Sequence, residues 1–479
     1  MTSSDRREFL RAIGGSIAAM SFGRHLAAAP NEPAASGKPS RRPNFLFIYT
    51  DDQRWDAMSV VQKEQGERAR FPWFKTPNMD RLAAEGMRFR NAFVVNSLCS
   101  PSRACFLTSQ YSHLNGVANN HTPFPVENVT HATLLRAAGY TTGYFGKWHM
   151  DQQKGPRPGF DFSAGQIAHG RYQDCPFEVN GNPTPTKGWV DDVVTDYAIQ
   201  FIKENKAKSF SMVVGFKSPH DPRQPAERNK NLFVGEEPRP AENADCRPPY
   251  LSEAKQRAQG QRPGTNFENI RNYFRCIAGV DDNLGRLLAA LDEQGVAENT
   301  MVIYCSDNGY YLGEHGLGDK RSAYDESLRI PLLARYPKLG VKGKVVDEMA
   351  LNIDLAPTLL DFAGVPIPAT MQGRSWRPLL EGKLASWRKA FFYEYFYEKG
   401  MERTPAVLAV RTETAKLIKY PGHDDWTELF DLKADPFEKK NLARDPAHKD
   451  LLEQMQGEFD RQGKAVQFRI PDYADKPGQ

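Results

Sequence analysis

Four residues at two places in the chain could together grip a hard cation. Asp51-Asp52 closes the apolar run Asn44-Phe-Leu-Phe-Ile-Tyr-Thr50, and Asp307-Asn308 closes the run from Met301 to Ser306. Oxygen donors of this kind suit Ca2+ or Mg2+, whereas a zinc site would draw on His and Cys. One acidic pair after a strand is equally the mark of a turn or a helix cap. A second pair at a matching strand end makes the cation the better reading. The six cysteines, at 99, 105, 175, 246, 276 and 305, fall at no metal-finger spacing, and a chain of 479 residues needs no disulfide framework to fold. Cys276 and Cys305 sit on apolar patterns and read as small buried hydrophobes.

The elements that must hold these residues are legible around them. Continuous apolar runs at 44–50, 210–216 and 301–306 predict strands buried on both faces, each ending in polar residues. In open α/β sheets that edge is where ligands bind. Between the runs lie helix patterns. The clearest covers 269–294, where Ile270, Tyr273, Phe274, Ile277, Val280, Leu284, Leu287, Leu288 and Leu291 recur at helical spacing before Gly295. A shorter one spans 133–138 and stops at Gly139. Strands alternating with helices predict an α/β fold with a large, mostly parallel sheet flanked by helices. Residues 220–265 are polar and proline-rich, the texture of a long surface insertion. After about 370, aromatic strand-like runs at 391–397 and 407–420 and a helix near 445–462 predict a smaller C-terminal α+β subdomain.

Two further stretches carry a family resemblance. Cys99-Ser100-Pro101-Ser102-Arg103, followed by Leu107-Thr108, resembles the signature of type I, formylglycine-dependent sulfatases of the alkaline phosphatase superfamily. Gly139-Tyr-Thr-Thr-Gly-Tyr-Phe-Gly-Lys147-Trp-His149 resembles the second signature of that family. The resemblance extends over roughly 44–440, through both carboxylate pairs to Leu429-Phe-Asp-Leu-Lys-Ala-Asp-Pro-Phe-Glu, with one departure at Ser109, where the family commonly has Gly. It implies an alkaline-phosphatase-like sandwich. It also implies a calcium ion, with Mg2+ the other candidate, on Asp51, Asp52, Asp307, Asn308 and position 99, where a separate maturation enzyme has oxidised Cys99 to formylglycine.

Cleaving a sulfate monoester requires concentrated positive charge and a proton donor for the leaving alkoxide. The resemblance supplies both. Hydrated formylglycine, acidified by the metal and by Arg103, attacks sulfur to give a covalent sulfo-enzyme intermediate, and its second hydroxyl then expels sulfate. His149 is the implied base for that collapse, and Lys147 holds the diol or sulfate oxygens. His220, in Lys217-Ser218-Pro219-His220, and Lys320, in Gly318-Asp319-Lys320-Arg321, are the implied leaving-group donors. His315 is a candidate contact to the sugar, while Trp148, Tyr310 and Tyr311 read first as core. The stretch from Ser306 to Arg321 is similar to N-acetylglucosamine-6-sulfatase-like and iduronate-2-sulfatase-like enzymes, which favours a sulfated saccharide as substrate.

The remaining features concern address and partners. Asp5-Arg6-Arg7-Glu8-Phe9-Leu10-Arg11, a mild apolar stretch from Ala12 to Gly23 and then Ala27-Ala28-Ala29 lay out a twin-arginine signal, so the expected partner is the twin-arginine translocase and the expected place is the periplasm or beyond. About 12 apolar residues are too few to span a bilayer, and no other stretch is apolar enough to do so. The net charge of +4 is small and interspersed, against a nucleic-acid partner. The expected organisation is signal 1–29, linker 30–43, catalytic domain 44–370 and C-terminal subdomain 371–479. The competing activities are a phosphonate monoester hydrolase or phosphodiesterase of the same superfamily, an alkaline-phosphatase-like enzyme using Cys99 or a nearby hydroxyl unmodified, and a catalytically silent extracytoplasmic glycan-binding protein.

Overall fold

Asn44–Thr50 is a strand with every residue buried, because helices cover both faces of the sheet it centres. The computed structural model describes residues 42–251, 263–383 and 386–476; the signal assigned to 1–29 and the linker up to 41 lie outside them. Ten strands form the main sheet, in the spatial order Lys344–Val346, Met87–Phe89, Leu332–Arg335, Thr300–Ser306, Asn44–Thr50, Phe210–Gly215, Thr141–Gly146, Phe162–Gln166, Phe177–Val179 and Asn182–Thr184. We label the four that carry the site in chain order: β1 (Asn44–Thr50), β2 (Thr141–Gly146), β3 (Phe210–Gly215) and β4 (Thr300–Ser306). All four run parallel in the order β4, β1, β3, β2. Antiparallel pairs are confined to the flanks, where Leu332–Arg335 joins β4 and Phe177–Val179 joins Phe162–Gln166.

The helix patterns fold as their periodicity requires. Phe267–Glu293 buries Ile270, Phe274, Ile277, Leu284, Leu287 and Leu291 against one face of the sheet, and Gly295, at φ 67°, lies just past its end. The shorter helix is His131–Ala137, capped by Thr130 and followed by Gly139 at φ 88°. Residues 220–251 contain one short 3-10 turn, Glu227–Asn229, consistent with an insertion. The six cysteines are all free, and Cys276 and Cys305 are buried. No helix of the described residues is long and apolar enough to cross a membrane.

The C-terminal region is a four-stranded antiparallel sheet, Ala390–Tyr395, Val407–Thr412, Ala415–Lys419 and Glu428–Asp431, with the helix Lys449–Ala465 packed on it. The 407–420 run is thus two strands of a hairpin rather than one. This sheet clamps the segment that follows Lys320. Arg411 and Lys416 pair with Asp325, and the hydroxyls of Tyr324 and Tyr420 donate to Glu428.

Burial pushes the Glu428 carboxyl up to about 7 against these two hydroxyls. From its ordinary 4.5 up to about 7 the native chain therefore holds a proton the unfolded chain has released, so stability falls as pH rises through that window. Glu428→Gln is expected to remove about 2–3 kcal/mol of that fall. The check is the difference in Tm between pH 5 and pH 8, which should shrink in the variant; an unchanged slope would show that Glu428 is not the group responsible.

Candidate active site

The carboxyl ends of β1 and β4 lie side by side, and this places the two acidic pairs together. Asp51 N donates to Ser218 O beyond β3, and Asp307 N donates to Thr50 O, so each strand exit is pinned by its neighbour. Asp52 turns in the left-handed region, at φ 73°, its N donating to Asp307 Oδ1 at 3.1 Å. Asn308 Nδ2 donates to Asp52 Oδ1 at 2.7 Å. Carboxylate oxygens of Asp51, Asp52 and Asp307 all lie within 4.8 Å of one another and are buried. Three buried acids at such range disfavour joint ionisation: burial and Asp51 push Asp307 up to about 7, and burial, aided by Asp51 and opposed by Lys320, raises Asp52. Asn308 Oδ1 is buried with no hydrogen-bond partner. A divalent cation would satisfy both features at once, and the donor set of oxygens fits Ca2+ or Mg2+.

Cys99 is the first residue of the helix Cys99–Thr108, so the positive end of that helix points at position 99. Pro101 is tolerated because first-turn amides lack intrahelical partners. The helix ends at Ser109, in the left-handed conformation at φ 58°, which explains the glycine usual there; Ser109 Oγ donates to Ile353 O. Cys99 Sγ lies 3.2 Å from both Asp51 Oδ1 and Lys320 Nζ. Burial and the charge of Asp51 push the thiol well above its ordinary range, so an unmodified Cys99 would be a poor nucleophile here.

Cations enclose the acids. Lys147, at the exit of β2, pairs with Asp51, and Lys320 pairs with Asp52. Burial alone would raise Asp51, but Lys147, His220, Arg103 and Lys320 hold it well below the usual carboxylate range. Arg103 stands behind Cys99 over the Tyr49 ring, its Nε donating to Asp307 Oδ2 at 2.8 Å and its Nη1 to Lys147 O. Nε and Nη1 thus brace other site residues, while Nη2 lies 2.8 Å from Asp307 Oδ2 without a hydrogen bond.

The histidines complete the wall. His220 Nδ1 donates to Asp221 O at 2.7 Å, which turns Nε2 toward Asp52 Oδ2, 3.8 Å away. His149 is buried, at φ 49°, with Nδ1 unpartnered. Burial and the Lys147 charge hold it well below its ordinary value. His315 is not brought to this site. It is buried, with Nδ1 to Cys246 O, Nε2 beside Asn243 and its ring stacked on Tyr324, so it supports the loop that carries Asn243. Trp148 packs on Phe124 and Tyr144, and Tyr311 donates to or accepts from Ser322; both are core. Tyr310 is nearly buried as well, its hydroxyl bonding Asp221 and Gly318 O.

Two residues escaped the sequence reading. His169, on the loop after Phe162–Gln166, places its ring 3.9 Å from His149 and 4.6 Å from His220. Lys217 is wholly buried over the Tyr172 ring, and burial with the Lys147 charge pushes its ammonium down to about 8. Neither has a signal of its own: one is a lone histidine in an irregular segment, the other a lysine at a strand exit.

A family model described as Sulfatase matches residues 43–365, and one described as N-sulphoglucosamine sulphohydrolase, C-terminal, matches 313–465. An N-acetylglucosamine-6-O-sulfatase of Bacteroides thetaiotaomicron is 34% identical over 470 residues, covering 84% of this chain and 83% of the relative. An ulvan-active sulfatase of Formosa agariphila is 28% identical, covering 90% of this chain and 83% of that one. A solved structure in complex with its substrate D-glucosamine-2-N,6-O-disulfate superposes with a TM-score of 0.81 at 33% identity, covering 90% of this chain and 99% of that chain.

Proposed function

The chain belongs to the sulfatase family and is a sulfuric ester hydrolase, and from that premise we propose that it removes sulfate from a sulfated saccharide of the amino-sugar class, after export and with Cys99 converted to formylglycine. The observation that carries the reading is the convergence, at one strand edge, of three buried acids, Cys99 and the cations Lys147, Arg103 and Lys320. The 34% identity to an N-acetylglucosamine-6-O-sulfatase supports the substrate class. Arg6-Arg7 and the stretch after them support export by the twin-arginine route, and the change of texture after about 370 supports a catalytic domain over 44–370 with a C-terminal subdomain over 371–479.

Asp51, Asp52, Asp307 and Asn308 would hold calcium, whose Lewis acidity lowers the pKa of a hydroxyl at position 99 and screens the sulfate charge. A formylglycine there, once hydrated, supplies two geminal hydroxyls, one to attack sulfur and one to release sulfate. Lys147 and Lys320, already held by Asp51 and Asp52, bind sulfate oxygens as fixed positive charge in a dry site. To act as the acid, His220 must carry a second proton on Nε2, because its Nδ1–H is held by Asp221 O. Burial and the nearby lysines oppose that charge, while Asp51 and an incoming sulfate favour it, and the Nε2 proton then passes to the departing sugar oxygen. His149, buried and held neutral, accepts a proton at position 99 when sulfate leaves. Arg103, paired with Asp307, favours its carboxylate form against burial and Asp51 and would hold it toward the metal.

The test pairs mass spectrometry of the Cys99 peptide with sulfate release from a panel of saccharide sulfates and phosphate diesters. We expect a loss of about 18 Da, the arithmetic of thiol to aldehyde, and turnover on amino-sugar sulfates. Faster turnover on phosphate diesters would favour the phosphonate hydrolase reading, and hydrolysis with an unmodified Cys99 would refute the formylglycine.

A further inference from the structure

Among the residues that wall the site, Asp51, Asp52, Cys99, Arg103, Lys147, His149, Asp307, Asn308 and Lys320 are buried, and only His220 and His169 are partly exposed. An ester entering the site therefore passes these two imidazoles first. His220 has a role in the mechanism above; His169 has none. It is the middle ring of three, between His149 and His220. Its Nδ1 lies 3.1 Å from the ammonium nitrogen of Lys147. Its backbone follows Ala168, an alanine held in the left-handed region at φ 49°.

The chemistry of that contact fixes the tautomer. An ammonium group has three N–H donors and no acceptor, so a nitrogen bonded to it must offer a lone pair. Nδ1 is then unprotonated and the ring proton sits on Nε2, which makes no hydrogen bond to the described residues. The charged and titratable groups around the ring are Lys147, Lys217, His149, His220 and Asp51, more cationic than anionic. The Lys147 charge first, then burial and His220, hold His169 far below its ordinary value, in accord with a ring that stays neutral.

Lys147 has a related requirement. Wholly buried, it directs one N–H to Asp51 Oδ2 and a second to His169 Nδ1, which leaves one for a ligand. Without His169 two donors are unassigned and the ammonium can swing about the Asp51 pair. We propose that His169 is a positioning residue of this site, its Nδ1 orienting the ammonium of Lys147 toward the sulfate and its Nε2–H serving as a further donor to the entering ester. The inference rests on the sulfatase reading for its kinetic consequence and on geometry alone for the Lys147–His169 contact.

Two measurements on the full, matured protein decide it. In steady-state kinetics with the best saccharide sulfate, His169→Ala should lower kcat by about 10- to 100-fold, the range for lost alignment of a reacting group, with Tm unchanged. His169→Asn should recover the part of that loss due to Lys147, because its amide oxygen overlays the Nδ1 position and can accept the same N–H. Equal losses in both variants, or a rate for His169→Ala within twofold of the parent, would overturn the proposal. Histidine 15N NMR of the parent, assigned with His169→Asn, should show an Nε2–H tautomer that does not titrate from pH 5.5 to 8; protonation of both nitrogens in that range would overturn it equally. A parent that releases sulfate from no saccharide would sink the function reading while the NMR result still decides the Lys147 contact.

Discussion

Cys99→Ala abolishes sulfate release while leaving the fold intact: this is the expected result with the largest effect. The side chain lost is small and sits at the first residue of a helix, a position whose amides need no intrahelical partner, so folding should survive. What disappears is the Sγ that meets Asp51 and Lys320 at the helix N-terminus. Loss of a nucleophile leaves only binding and electrostatic residues, and a fall of about 10^3-fold or more in kcat is expected. Cys99→Ser is the sharper variant. It keeps a hydroxyl of similar size, yet a single hydroxyl offers no second group to expel sulfate, and serine escapes a cysteine-specific maturation. It should also be inactive, with Tm within a degree or two of the parent. A serine variant that turns over near the parental rate would remove formylglycine from the mechanism.

Metal removal should have an effect of similar size. With the cation stripped by a chelator, Asp51, Asp52 and Asp307 face one another inside 4.8 Å without a counter-ion at their centre, and Asn308 Oδ1 stays unpaired. We expect turnover to vanish, Tm to fall and both to return on adding Ca2+, with about one ion bound per chain by elemental analysis. Asp51→Asn should act like permanent stripping: it removes a ligand and frees Lys147, whose buried charge then lacks its partner. A loss of about 10^3-fold is expected. Retained turnover in chelator, with no metal found, would dissociate the acidic triad from catalysis.

Most of the chemistry was legible in the chain because it sits at strand exits. A run as short as Asn44–Thr50 reads as a doubly covered strand rather than a helix, and the residues that close it then emerge at the sheet edge. Two such runs in parallel put Asp51-Asp52 and Asp307-Asn308 at the same edge without any knowledge of side-chain detail. Cys99 and Lys147 were legible through the motifs that hold them. His315 misled because a glycine-rich loop following a metal pair looks functional, whereas the fold turns that imidazole toward Asn243 and Cys246. The 407–420 run was legible as strand but not as hairpin, since the Glu413-Thr414 turn carries no glycine or proline.

The sequence by itself determined the parallel centre of the sheet, the two acidic pairs at its edge and the residue types that surround Cys99, because periodicity and strand polarity are properties of the local chain. Only the tertiary structure decided which loops reach that edge. His169 comes from a segment with no pattern, and it meets Lys147 because β2 and Phe162–Gln166 are neighbours in the sheet. Glu428 lies more than a hundred residues after Lys320, yet with Tyr324 it fixes the segment that carries that lysine. Contacts of this kind depend on distances between elements far apart in the chain, and no local spacing encodes them.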